Sequence, residues 1–262
     1  MSITHSASGP AYAALTAVGR VRQHNEDAIL CCPRFNLWAV ADGMGGHQRG
    51  EVASALALKT LQSQLRRGED LLGAIHGANA AILAAASQDD SQRGMGTTLV
   101  AVCFSGADFQ LAWVGDSRAY RVGASGIEQL SRDHSWVQAM VDAGRMTAEE
   151  ASCHPRRNIV TQCLGQADQE LQVDQLHGRL GSGELLLLCS DGLTGELSDA
   201  EIQQLCASAA TLDALVDDLV ESANRKGGKD NISCIVLALV APAPAEERPR
   251  SFLDKLLKPA KS

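Results

Sequence analysis

Short apolar runs closed by turn-forming residues recur along the chain and predict strands. They fall at 37–41 (LWAVA), 97–104 (TTLVAVCF), 109–114 (FQLAWV), 119–122, 184–189 (ELLLLC) and 232–240 (ISCIVLALV). Helical periodicity appears at 51–67 and 70–87, with shorter helices at 135–143, 147–152, 199–208 and 212–225. In the first helix Val52, Ala55, Leu56, Leu61 and Leu65 share roughly one face, which predicts the buried side. Two helices stand between strands, a run of strands follows, and helices and a last strand close the chain. That order lacks the strand–helix alternation of a doubly wound sheet. It predicts an α+β fold of largely antiparallel sheets with helices laid on their outer faces.

Composition bounds the answer further. The 262 residues are 45% hydrophobic, enough to build a sizeable core. Aromatic residues make up only 3%, so Ala, Leu and Val must fill the interior. The net charge of −8 argues against a general nucleic-acid binder, which needs a cationic field to meet phosphates. No run of apolar residues is long enough for a transmembrane helix, and the start lacks the basic and apolar stretches of a signal peptide. A cytoplasmic location is expected. The eight Cys form no CxxC pair and read as small reduced hydrophobes. A domain is expected at 9–240. The segment after it contains APAPAEERPR, which reads as a solvated linker, and then Phe252, Leu253, Leu256 and Leu257 at helical spacing among lysines. Residues 241–262 are therefore read as a Pro-rich and basic tail, either disordered or a short docking helix.

The chemistry-bearing signal is where the aspartates fall. Asp42 follows LWAVA, Asp116 follows FQLAWVG, Asp191 follows ELLLLCS, and Asp230 directly precedes NISCIVLALV. A carboxylate at the edge of a buried strand is poorly hydrated and needs a partner. The basic residues of these segments are too few to match all four. If the strands pack side by side, the acids converge on one rim and repel one another unless cations sit between them. An all-oxygen donor set suits Mg²⁺ or Mn²⁺ rather than Zn²⁺, and no HExxH or paired Cys/His spacing competes. Asp42 and Asp191 each open a DGxxG segment. Glycine there lets the chain turn sharply, so that a backbone carbonyl can face the same ion. The plainer reading of either one is an Asp-Gly turn that ends a strand.

Read in order, these residues resemble the metal-dependent Ser/Thr protein phosphatases of the 2C type, in their bacterial form. The matching segments are GRVRQHNEDA (19–28), VADGMGGHQRGEVAS (40–54), GMGTTLVAV (94–102), WVGDSRAYRV (113–122), LSRDHSWV (130–137), HPRRNIVTQCLG (154–165), LLLLCSDGLT (185–194) and GGKDNISCIVL (227–237). The resemblance implies a four-layer α-β-β-α sandwich, two stacked antiparallel sheets flanked by helices. It also implies two Mn²⁺ or Mg²⁺ ions at the sheet edge, held by Asp42, the Gly43 carbonyl, Asp191 and Asp230. A third, looser ion falls to Asp116 with Asp191. Glu26 and Asp27 match acids that act through metal-bound waters or supporting hydrogen bonds. Arg22 matches the arginine that grips the substrate phosphate; read alone, it pairs with Glu26 four residues on.

Such a site has a coherent chemistry. Two divalent ions sharing a water lower its pKa, and the resulting hydroxide attacks phosphorus in line with the seryl or threonyl oxygen. A planar arginine fork holds two phosphoryl oxygens, which a lysine would not. No covalent intermediate is needed, and a CX5R signature is absent. Met44 stands where other branches carry a His, which leaves protonation of the leaving oxygen to another group, with a metal-bound water preferred. His47 reads as a surface-loop histidine, and Ser190 lacks the GxSxG elbow of a serine hydrolase. His134, Arg145, His154, Arg156 and Arg157 fall in the segment that the resemblance makes a mobile flap, either a peptide-docking lip or a solvated connector.

The expected function is hydrolysis of phosphoserine and phosphothreonine on phosphorylated proteins, opposing a bacterial Ser/Thr protein kinase, by a monomer. The alternatives are a catalytically silent signalling scaffold, which would be expected to lose metal acids, and a hydrolase of small phosphate esters.

Overall fold

The computed structural model describes residues 9–45 and 49–239. His47, Val240 and the 241–262 tail lie outside the described residues.

The chain opens with β1 (Ala11–Ala17), β2 (Asp27–Cys32) and β3 (Leu37–Met44), followed by helices α1 (Arg49–Arg66) and α2 (Leu71–Gln88). A strand run follows: β4 (Gly96–Thr97), β5 (Leu99–Ser105), β6 (Asp108–Val114), β7 (Arg118–Gly123) and β8 (Gly126–Gln129). Helices α3 (Trp136–Asp142) and α4 (Ala148–Cys153) precede β9 (Asp174–Arg179) and β10 (Leu185–Cys189). The short α5 (Asp191–Thr194), α6 (Asp199–Ser208) and α7 (Leu212–Lys226) lead into β11 (Ile232–Ala238).

Two antiparallel sheets form. One has the strand order β1-β11-β10-β7-β8; the other runs β2-β3-β5-β6-β9, with β4 paired to β3. Side-chain alternation divides the interior into three apolar layers. Trp38, Val40, Val100, Leu111, Leu186, Leu188 and Ile235 pack between the sheets. Leu37, Ala39 and Ala41 turn the other way, onto α1 and α2. Leu187, Cys189, Cys234 and Val236 meet α6 and α7. The expected four-layer α-β-β-α sandwich is therefore the observed architecture.

Helix starts follow their caps. Asp70, Ser135, Thr147 and Thr211 each accept a backbone N–H of the first turn, and Thr147 with Glu150 forms a capping box. The predicted face of α1 is rotated, however. Its buried residues are Gly50, Ala53, Ser54, Ala57, Leu58 and Leu61, whereas Val52 and Ala55 are exposed. Small residues let the helix approach the sheet closely, and this outweighs the larger apolar side chains one step round.

Candidate metal centre

The alternation that places Trp38 and Val40 between the sheets also carries Asp42 to the inner face at the end of β3. Asp27 is its partner across β2–β3, so two acids stand side by side at the rim. Asp191 caps the end of β10 as the first residue of α5, and Asp230 lies just before β11 on the neighbouring strand. Gly192 makes this approach possible: a Cβ there would lie 1.9 Å from the Asn231 carbonyl oxygen. Asp116 sits in the turn between β6 and β7 and is 7% exposed.

These acids feel one another. Burial, then repulsion from Asp27 and Asp191, pushes Asp42 well above the usual carboxylate range. Burial and the charge of Asp191 push Asp116 up to about 8. Burial pushes Asp27 up to about 7, against two hydroxyl hydrogen bonds that pull the other way. Asp191 is raised by burial and by Asp230, and a hydrogen bond from Asp42 partly offsets this. Buried oxygens of Glu26 (Oε1), Asp27 (Oδ1) and Asp191 (Oδ1) have no hydrogen-bond partner. Repelling carboxyls with open oxygen lone pairs fit hard divalent cations. Among the described residues, no trio of His, Cys, Asp or Glu side chains stands ready-arranged around a common point. Some of these acids instead face each other or Arg22.

Arg22 donates from Nη2 to Asp230 Oδ2 at 2.7 Å and keeps its side chain 51% exposed. Its partner in the fold is therefore Asp230, rather than Glu26 at i+4. Glu26 sits beside Gly50; its backbone N–H donates to Asn231 Oδ1 at 2.8 Å, and its carbonyl accepts from Gly43 N at 3.1 Å. Gly43 lies within β3 opposite Thr97. Asp27 Oδ2 accepts from the hydroxyls of Ser190 and Ser233, both at 2.7 Å. Ser190 is thus a buried support for Asp27.

Several residues that hold the site gave no sequence signal of their own. Asn231 donates to the carbonyls of Val18 and His24, both at 2.9 Å, and so ties the loop that carries Arg22 to β11. Its place beside Asp230 in the GGKDN segment was the one available hint. Arg118, next to Asp116, makes three hydrogen bonds to the Asp133 carboxylate and a fourth to Tyr120 Oη. In the flap segment, Arg156 stacks over the Trp136 ring at 5.3 Å, and His154 lies 5.1 Å from it. His134 instead turns inward, accepting Gly115 N–H on Nδ1 at 3.2 Å. A cleft of about 780 Å³ runs from Asp116, Asp191 and Asp230 between α3–α4 and the α5–α6 segment, with Arg157 and Lys229 on its walls.

The model of the protein phosphatase 2C family matches residues 18–236. The chain belongs to the protein phosphatase 2C family. Among its relatives, the serine/threonine protein phosphatase PstP of Mycobacterium tuberculosis is 38% identical over 87% of this chain and 45% of its own length. The chain thus spans less than half of that relative. The serine/threonine phosphatase Stp of Listeria innocua is 36% identical over 84% of this chain and 92% of its own. The crystal structure of the PstP catalytic domain in complex with two manganese ions superposes with a TM-score of 0.78 at 35% identity, covering 88% of this chain and 98% of that one.

Proposed function

We propose that the protein is a metal-dependent protein serine/threonine phosphatase. The observation that carries this is the set of buried, mutually repelling carboxyl groups with unpartnered oxygens at one end of the inter-sheet space. Asp42 with the Gly43 carbonyl, Asp191 and Asp230 would hold a pair of Mn²⁺ or Mg²⁺ ions, and Asp116 with Asp191 a third. Such ions supply an acidified water as nucleophile and positive charge for the phosphoryl oxygens.

The chain's own groups do the rest. Arg22, anchored to Asp230 through one nitrogen, offers its remaining N–H groups to a phosphoryl oxygen at the solvent edge. Glu26 and Asp27 stand behind the ligands and fix them through Asn231, Ser190 and Ser233. The cleft beside the acids, about 780 Å³ and lined from Asp116 to Ala200, has room for a peptide segment of a phosphorylated protein as well as the phosphate. That protein would be the product of a Ser/Thr kinase. No described helix is long and apolar enough to cross a membrane. A silent scaffold is disfavoured because Asp42, Asp116, Asp191 and Asp230 are all present and are brought to one end of the sheets.

Phosphate release from a phosphothreonine peptide tests the proposal in three arms: Mn²⁺, chelator, and Asp191→Asn with Mn²⁺. Activity is expected in the first arm alone. Equal rates in all three would reject the reading.

A further inference from the structure

Thr98 lies between two acid-bearing segments and is 1% exposed. On one side it grips the backbone of Asp42. Its Oγ1 accepts Asp42 N–H at 3.1 Å, and its own N–H donates to the Asp42 carbonyl at 2.9 Å. Thr97 Oγ1 donates to the same carbonyl at 2.9 Å. On the other side it meets the turn that carries Asp116. Thr98 Oγ1 shares a hydrogen bond with Ser117 Oγ at 2.7 Å, the only partner of that hydroxyl among the described residues. Gly115, at φ +103°, lies flat against the threonine, where a Cβ would come within 2.6 Å of Thr98 Cγ2. The far flank of this turn is closed by His134, which accepts Gly115 N–H and donates its own N–H to the Gly115 carbonyl at 2.9 Å.

We propose that Thr98 is a positioning residue: its hydroxyl pins the Asp42 strand to the Asp116 turn and thereby sets the metal affinity of the site. This rests on the phosphatase reading above. Asp42 and Asp116 lie just beyond the β3–β5 and β5–β6 ladders, and the Thr98 hydroxyl is the side-chain link between their two segments. Thr98 does this with two separable parts. The methyl group packs against Gly115, and the hydroxyl satisfies Asp42 N–H while bonding Ser117. Valine keeps the shape and loses the bridge; serine keeps the bridge and loses the methyl. Supporting hydrogen bonds behind metal ligands commonly set affinity, because a ligand displaced by about 1 Å no longer meets the ion.

The test is Mn²⁺ binding by isothermal titration calorimetry on the full chain, with melting temperature and phosphopeptide kinetics alongside. Thr98→Val and Ser117→Ala are each expected to weaken Mn²⁺ binding about tenfold, the usual scale for such partners. The KM for the phosphothreonine peptide should stay within about twofold, since Thr98 is buried and makes no hydrogen bond to Arg22. Thr98→Ser is expected to bind Mn²⁺ within about threefold of the native chain. Native affinity in Thr98→Val and Ser117→Ala would overturn the proposal, as would a Thr98→Ser variant as weak as Thr98→Val. Should Thr98→Val fail to fold, Ser117→Ala and Thr98→Ser decide it by the same criteria. A native chain that binds no Mn²⁺ would sink the phosphatase reading and this inference with it; normal native binding confines any failure to Thr98.

Discussion

Asp27 and Asp116 make the state of the site readable through pH. An ordinary aspartate titrates near 3.8, whereas burial raises Asp27 to about 7 and Asp116 to about 8. Between those limits the unfolded chain has released the protons and the folded chain still holds them. Raising pH therefore favours unfolding, and the stability these groups retain in acid is lost progressively up to about pH 8. The melting temperature of chelator-treated protein is expected to fall between about pH 5 and pH 8. Added Mn²⁺ should flatten that slope, because ionised carboxylates then have a cation to face. A metal-free melting temperature that rises over the same interval would contradict the burial of these groups. Arg22 adds a second prediction at this scale. Arg22→Ala should raise KM for a phosphopeptide and lower kcat/KM by about tenfold to a hundredfold, the scale of one charge-assisted phosphate contact. Steady-state kinetics in saturating Mn²⁺ reads this, and an unchanged kcat/KM would remove Arg22 from the phosphate.

Among the elements, strands with dense apolar runs and helices with capping residues were legible in the sequence, and edge strands were not. β9 reads DQLHGR and is largely exposed; its place comes from backbone pairing to β6, which leaves no hydrophobic pattern. β1 (AYAALTA) is also an edge strand and packs through small residues. The run expected at 97–104 is broken at Thr98, whose N–H and hydroxyl both go to the Asp42 backbone instead of continuing a ladder. The rotated face of α1 has a measurable consequence. Leu58 lies off the expected face yet is buried, so Leu58→Ala is expected to cost about 2–5 kcal/mol by chemical denaturation. Val52→Ala, at an exposed position, should stay within about 0.5 kcal/mol. The reverse order would restore the face expected from the sequence.

For the molecule as a whole, the acids could be picked out in the sequence because a charge next to a buried strand is conspicuous. The polar frame around them could not. Asn231, Ser190, Ser233, Thr98 and Ser117 are ordinary residue types for strands and turns, and their long-range side-chain partners lie 19 to 217 residues away in the chain. Only the stacking of two sheets brings them under the carboxyl groups. The sandwich thus holds a charge arrangement that is unfavourable by itself, and divalent cations relieve it. Anomalous diffraction from a crystal soaked in Mn²⁺ tests this most directly. The account predicts two strong peaks flanked by the carboxylates of Asp42, Asp191 and Asp230; a well-ordered site with no peak beside those side chains would contradict it.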